Sequence, residues 1–463
     1  MEDIQLNLDL RDFIRTVENE DSEKILRVST PVKDKYEITS YALELEKRGK
    51  TPILIFDKVG DYKMPVVCNI FASRKRYAIT LGVSEDLLMQ EWIKRGEIEI
   101  EPIELNYGPI KEEVKTGNEV DLLKLPILTH FKEDAGPYIT SGIVIAKHPI
   151  TGIRNASIHR IQLKGKNKLG VSLHSRRHLW EYQRIAEEQC KDLEVAVVIG
   201  AHPLFYFGTG LWRGSIEKDE FKIGGGFYKE ALEIVKCETV NLEIPANAEI
   251  VLEGKILHNV KEDEGPFGEF TGYLSGNSTR NVIEVSAILQ RKDAIYQDII
   301  SGLSAEHVLL LAIPQEARIF ETVNKVVPTI KAVSYPLSGV GRFHCYISMK
   351  KVAEGQPYTA IFSALAEDLS LKLVIIVDED IDVYNEKEVL WVLATRLQAD
   401  KGIFIVPGCM GALLDPSANK GVTAKVGIDA TINLLHWTGK KCTIPKDISD
   451  MVKETIIKNL KHN

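Results

Sequence analysis

Three stretches of this chain hold more polar chemistry than a buried core tolerates. Residues 152–178 read GIRNASIHRIQLKGKNKLGVSLHSRRH. On an extended strand, Asn155, Ser157 and His159 share one face, and Ala156, Ile158 and Arg160 the other. An amide, three histidines and two adjacent arginines this close together suit an anion or metal pocket. A guanidinium offers a planar fork for carboxylate or phosphate. A half-solvated strand followed by a basic surface loop has the same pattern. Residues 258–273 read HNVKEDEGPFGEFTGY. Gly265, Pro266 and Gly268 predict a tight turn with Glu264 and Glu269 at its two sides. Two carboxylates held close push their pKa values apart, which gives a site both an acid and a base. An acidic surface turn is the bland alternative. Phe267, Phe270 and Tyr273 weaken it, because they predict that the body of the turn is buried. The third stretch, 200–226, is dense in glycine, which lets backbone approach a ligand closely. A surface loop is the commoner cause of such a run.

These stretches need elements to hold them. Apolar spacing predicts helices over 8–18 and 39–50, the second with Ser40 near its N-cap and Gly49 at its C-cap. Short β-rich runs at 24–28, 52–56 and 66–70 alternate with them, so residues 1–110 read as an α/β domain. Residues 106–126 are polar and read as a linker or surface excursion. Strands then follow at 138–146, 156–163, 195–199, 239–242, 249–257 and 282–290, which suggests a β-barrel or sandwich over 111–305. Residues 306–463 alternate again: buried strands at 373–377 and 402–406, and a helix at 386–399. An amphipathic helix over 447–460 sets Ile448, Met451, Val452, Ile456 and Leu460 on one face. The fold class is α/β in three segments.

Composition excludes several classes. Of 463 residues, 44% are hydrophobic and 27% charged, which rules out a disordered or collagen-like chain. Lys and Arg total 58 against 66 Asp and Glu, so a net charge of −8 lacks the basic footprint of a nucleic-acid binder. No apolar run reaches the ~18 residues of a membrane span, and the N-terminus lacks the pattern of a signal peptide. Six scattered cysteines without CxxC spacing suit reduced thiols in a cytoplasmic protein. P-loop, Rossmann, GxSxG and HExxH signatures are all missing.

Taken together, the polar stretches resemble one family, the UbiD-like decarboxylases. The resemblance runs through LNLDLRDFI, LPILTHFKEDAGPYITSGIV, NASIHRIQLKGKNKLGV, VNLEIPANAEIVLEG, EGPFGEFTGY and AKVGIDAT. Asn155 and Arg160 meet the family's Asn-x-x-x-x-Arg pattern, and 264–269 meets Glu-Gly-Pro-Phe-Gly-Glu in full. The resemblance implies an N-terminal α/β domain, a central split β-barrel that binds flavin, and a C-terminal α/β domain whose end oligomerises. It implies prenylated FMN, made by a flavin prenyltransferase, with Mn2+ (or Mg2+) and K+ or another monovalent cation. Asn155, His178 and Glu220 then match metal-binding positions. Ile158, His159, Arg160, Ser172, Leu173, His174, Arg177 and His178 match cofactor contacts, as does Lys425 from the C-terminal domain. Arg160, Glu264 and Glu269 match the catalytic network, with Glu269 as proton donor. The implied reaction is reversible, non-oxidative decarboxylation of an aromatic, heteroaromatic or α,β-unsaturated acid by a homodimer or larger homo-oligomer.

Two other classes compete. A non-catalytic or carboxylating subunit of a larger UbiD-like complex is one; loss of Glu269 or Arg160 would be expected in a non-catalytic one, and both are present. A carboxylate-pair hydrolase needs two acids but no flavin site. No motif selects the substrate. Residues 299–318, with Ser301, His307 and Arg318, are expected to line part of its pocket. His307 is equally explained as a capped helix residue.

Overall fold

The computed structural model describes residues 8–20, 23–173, 177–212 and 214–460. The β-rich middle forms one curled half-barrel sheet of nine strands. Its order runs Tyr138–Ile139, Ile161–Leu163, Lys168–Val171, Ser278–Gln290, Ile250–Glu264, Leu193–Ile199, Ile143–Lys147, Arg154–Ile158, with Glu113–Thr116 added to Ser278–Gln290. Two long strands, Ile250–Glu264 and Ser278–Gln290, are its spine, and their register shifts at Glu253/Gly254 and again between Ile256 and Lys261. Such bulges bend and twist a strand, which lets the sheet curl. Val197, Leu252 and Ile283 fill its hollow side. The Asn155 strand, Arg154–Ile158, is an end strand, so its outer edge is open to whatever packs there.

A four-stranded sheet lies on the N-terminal side, in the order Ile25–Val28, Ile53–Phe56, Val66–Cys68, Tyr296–Gln297. Its last strand comes from far along the chain and ties this domain to the half-barrel. The C-terminal segment is a five-stranded sheet ordered Ile330–Ser334, His344–Met349, Leu373–Asp378, Val422–Asp429, Ile403–Met410. The 22-residue helix Ala305–Val326 leads into it. Glu306, in its first turn, is fully buried and accepts backbone N–H bonds from Asn69, Phe71 and Ile300 at 2.8, 3.2 and 2.9 Å. One carboxylate therefore pins the N-terminal domain to this helix.

Several local expectations change. The second helix is Glu37–Glu46; it starts at Tyr36 with φ 67°, so Ser40 lies inside it rather than at its cap. Residues 106–126 are not merely a linker, since Glu113–Thr116 joins the central sheet. Residues 239–242 are the turn between Glu233–Lys236 and Glu243–Pro245, not a strand. The buried Glu253 carboxylate takes the backbone N–H of Glu238 and Thr239 and the Thr239 hydroxyl, which fixes that turn. The glycine run is largely helical, within Glu220–Tyr228. A Cβ on Gly208 would meet Gly224 Cα at 2.6 Å, and one on Gly226 would meet the Ile98 carbonyl at 2.1 Å. These glycines serve close backbone packing under the site. The last helix, Lys446–Leu460, leaves Ile448, Met451, Val452 and Ile456 exposed.

Candidate active site

Arg160 falls just after the Asn155 strand ends, where the chain turns into Ile161–Leu163. One terminal nitrogen, Nη2, donates to Glu264 Oε2 at 2.9 Å, and the other, Nη1, donates to Glu269 Oε1. Glu264 closes the long strand and Glu269 lies past the Gly265–Pro266 turn, so the turn brings both acids to one guanidinium. All three are well buried. Burial is the main force raising the Glu269 pKa; Arg160 opposes it, and Glu264 adds to it. Burial also works against the Arg160 cation, but the two carboxylates outweigh it and hold its pKa above the usual value. One permanent positive charge thus holds two buried carboxyl groups, with burial favouring the protonated form of Glu269.

The turn is braced from beneath. Asp134 accepts the Gly268 N–H at 2.8 Å, and Ser275 Oγ accepts the Phe267 N–H at 3.1 Å. The Tyr138 hydroxyl accepts the Gly265 N–H at 3.2 Å, and burial raises its pKa with Glu264 reinforcing the effect. The Phe267 ring packs on Tyr138 and lies under the Arg160 guanidinium.

The other end of the same strand carries a second group. Asn155 Nδ2 donates to Glu220 Oε1 at 2.9 Å, and His178 Nδ1 stands 3.5 Å from that oxygen. Glu220 Oε2 is buried with no hydrogen-bond partner. A buried carboxylate oxygen left unpaired is costly unless a cation meets it. Burial raises the Glu220 pKa, against hydrogen bonds from His178 and Asn155 that lower it. Asn155, Ser157 and His159 do share a face: Ser157 Oγ lies 3.2 Å from Asn155 Oδ1 and 2.9 Å from His159 Nε2. His159 Nδ1 meets the Ser172 carbonyl at 3.3 Å, and the Ser157 hydroxyl donates to Asn155 Oδ1. The Asn155 amide thus turns its nitrogen to Glu220 and its oxygen to Ser157. Amide, imidazole and carboxylate donors suit Mn2+ or Mg2+ better than a soft metal.

The remaining expected residues divide. Ile158, half-buried, ends the Asn155 strand, and Leu173, buried, follows the strand Lys168–Val171. Arg177 directly precedes the helix His178–Glu188; confinement by surrounding protein, then the Arg342 and Arg318 cations, lowers its pKa to about 10. His174 lies outside the described residues. Lys425 is not brought to this group. Its buried Nζ donates to the Leu369 carbonyl at 3.1 Å and to those of Leu365 and Asp368 at 3.5 Å, at the end of Gln356–Glu367. His307 is the capped helix residue, its N–H donating to Ser304 Oγ at 3.1 Å. Its ring also packs edge-on to Phe270, next to Glu269, and burial lowers its pKa to about 4. Arg318 pairs with Glu367 instead of joining the acids. The sequence reading missed Tyr138, Asp134, Arg154 and Asp219. Arg154 and Asp219 directly precede Asn155 and Glu220, a juxtaposition visible only once both partners are known.

Comparison with known proteins identifies the family. Residues 18–96, 102–304 and 308–430 match the N-terminal, Rift-related and C-terminal domains of 3-octaprenyl-4-hydroxybenzoate carboxy-lyase. The chain belongs to the UbiD family. It is similar to anhydromevalonate phosphate decarboxylase of Methanothermobacter thermautotrophicus, 37% identical over 89% of this chain and 96% of that one. The Methanosarcina mazei enzyme of the same name is 35% identical over 94% and 99%. Among solved structures, the UbiD-class enzyme HmfF of Pelotomaculum thermopropionicum with FMN superposes at a TM-score of 0.91, with 38% identity over 96% of this chain and 100% of that one. Klebsiella pneumoniae 3,4-dihydroxybenzoic acid decarboxylase gives 0.88 at 27% identity, over 96% and 99%.

Proposed function

We propose that this chain catalyses the reversible, non-oxidative decarboxylation of an unsaturated carboxylic acid with prenylated FMN, and that Glu269 is the proton donor. The observation that carries the reading is the Arg160 guanidinium held between Glu264 and Glu269, on the strand that also presents Asn155 to Glu220 and His178. Prenylated FMN, when bound, supplies an electrophilic carbon and an electron sink, which no side chain offers. The protein's part is the proton. Burial keeps Glu269 protonated to a higher pH, and Arg160 stabilises the carboxylate it becomes after giving the proton up. Glu264, held by the same guanidinium, tunes that proton without leaving the pair. Asn155, His178 and Glu220 would hold Mn2+, whose charge would offset that of the cofactor's phosphate. Ile158, His159, Ser172, Leu173 and Arg177 would line the flavin.

The curated relatives point to a phosphorylated acid of the anhydromevalonate type. Arg177, with Arg342 and Arg318 near it, would meet a second anion there, in competition with Asp368 and Glu367, which pair with Arg342 and Arg318. The test is expression with a flavin prenyltransferase, followed by an absorbance spectrum and a turnover panel of phosphorylated aliphatic, furoic and hydroxybenzoic acids. Prenyl-flavin absorbance with turnover of the phosphorylated acid is expected. Decarboxylation by flavin-free protein would overturn the reading.

Replacing Glu220 or Asn155 with alanine is expected to lower manganese and flavin retention with little change in the unfolding midpoint. Metal analysis and flavin absorbance of the purified variants check this; full occupancy of both groups would remove the metal assignment. The exposed apolar residues of Lys446–Leu460 support a homodimer or a larger homo-oligomer, and an evolved form of HmfF is dimeric. Light scattering at micromolar concentration should give at least twice the chain mass.

A further inference from the structure

We infer that Arg154 and Asp219 form a positioning clamp that sets the two ligands Asn155 and Glu220 for a divalent cation. This inference rests on the metal reading proposed above. Two consecutive rungs join the end strand to the helix Glu220–Tyr228. On the upper rung Asn155 Nδ2 donates to Glu220 Oε1 at 2.9 Å. On the lower rung Arg154 Nε and Nη2 both donate to Asp219 Oδ2, at 2.8 and 2.7 Å. Asp219 divides its oxygens between two tasks, because Oδ1 caps the helix by accepting the Phe221 N–H at 2.9 Å. The Arg154 guanidinium also lies over the Phe221 ring, 5.0 Å from its centroid. Arg154 therefore grips the residues on both sides of Glu220. The strand is an end strand, with no further β-neighbour to hold its outer edge. Buried Phe221, Ile223 and Phe227 fix the body of this glycine-rich helix, and its first turn is what the clamp holds. There the clamp sets the helix start so that Glu220 Oε1 meets Asn155 and His178 while Oε2 stays buried and unpaired. Glu243 Oε2, 3.5 Å from Arg154 Nη1, holds the guanidinium from its far side.

The test uses full-length protein saturated with FMN, titrated with Mn2+ while free Mn2+ is read by electron paramagnetic resonance. Asp219→Asn keeps a good N-cap but removes the charge that Arg154 grips. Arg154→Gln removes the cation. Each is expected to weaken Mn2+ binding by roughly 10–100-fold, the range for groups that orient ligands without touching the metal. Asp219→Asn should leave the thermal midpoint near that of the parent chain, which separates positioning from stability. The exchange Arg154→Asp with Asp219→Arg should recover part of the affinity. Parent-like Mn2+ affinity in Asp219→Asn overturns the inference, provided Glu220→Ala still abolishes tight binding. If Glu220→Ala also binds Mn2+ like the parent, the metal reading itself falls.

Discussion

Glu269→Gln is expected to cut turnover by roughly 10²–10⁴-fold, the span for losing a positioned general acid. Glutamine keeps the size of the side chain and can still accept from Arg160, so the site should keep its shape. It cannot give up and regain a proton. Flavin and manganese should still bind, because Glu269 is not among the residues that approach Glu220 or Asn155. Solvent deuterium exchange at the product carbon should fall together with turnover, since exchange is the reverse of protonation. Glu264→Gln should also lower the rate, but with a shifted pH profile. It removes the second carboxylate, which helps to raise the Glu269 pKa. Near-parental turnover and exchange in Glu269→Gln would pass the donor role to Glu264, or to a water held by Arg160.

Glu306→Ala is expected to destabilise the fold by roughly 3 kcal/mol or more, because it strands three buried N–H groups at once. The loss should appear as a lower denaturant midpoint. A midpoint matching the parent would mean that water replaces the carboxylate. A pH effect follows from the same residue. Burial raises the Glu306 pKa to about 7, despite the backbone N–H bonds that lower it. The folded chain therefore holds this proton more tightly than the unfolded chain, whose value is about 4.3. The stability from this group is fully present below that unfolded value and is lost as pH rises through about 7. Glu306→Gln should flatten that part of the stability–pH curve, as paired denaturant titrations at acidic and neutral pH would show.

Much of the candidate site was legible because its residues are close in sequence or lie on regular elements. Period-two spacing placed Asn155, Ser157 and His159 on one face, and the observed hydrogen bonds run along that face. The Gly-Pro-Phe-Gly turn implied that Glu264 and Glu269 flank one point, and they meet at one guanidinium. Lys425 shows the limit. Its place in AKVGIDAT implied a role at the cofactor, whereas its ammonium satisfies three carbonyls at a helix end. Where a flexible side chain goes depends on acceptors that come from other parts of the chain.

By itself the sequence determined the three-part α/β organisation, the family and the residue types at the site, because those follow from local periodicity and contiguous motifs. Only the tertiary structure decided that Tyr296–Gln297 completes the N-terminal sheet, that Glu306 ties that sheet to the long helix, and that Arg154 and Asp219 align the Asn155 strand with the Glu220 helix. Each of these pairs residues 65 or more positions apart. Such pairings depend on how the sheets curl and pack, and no short-range pattern encodes them.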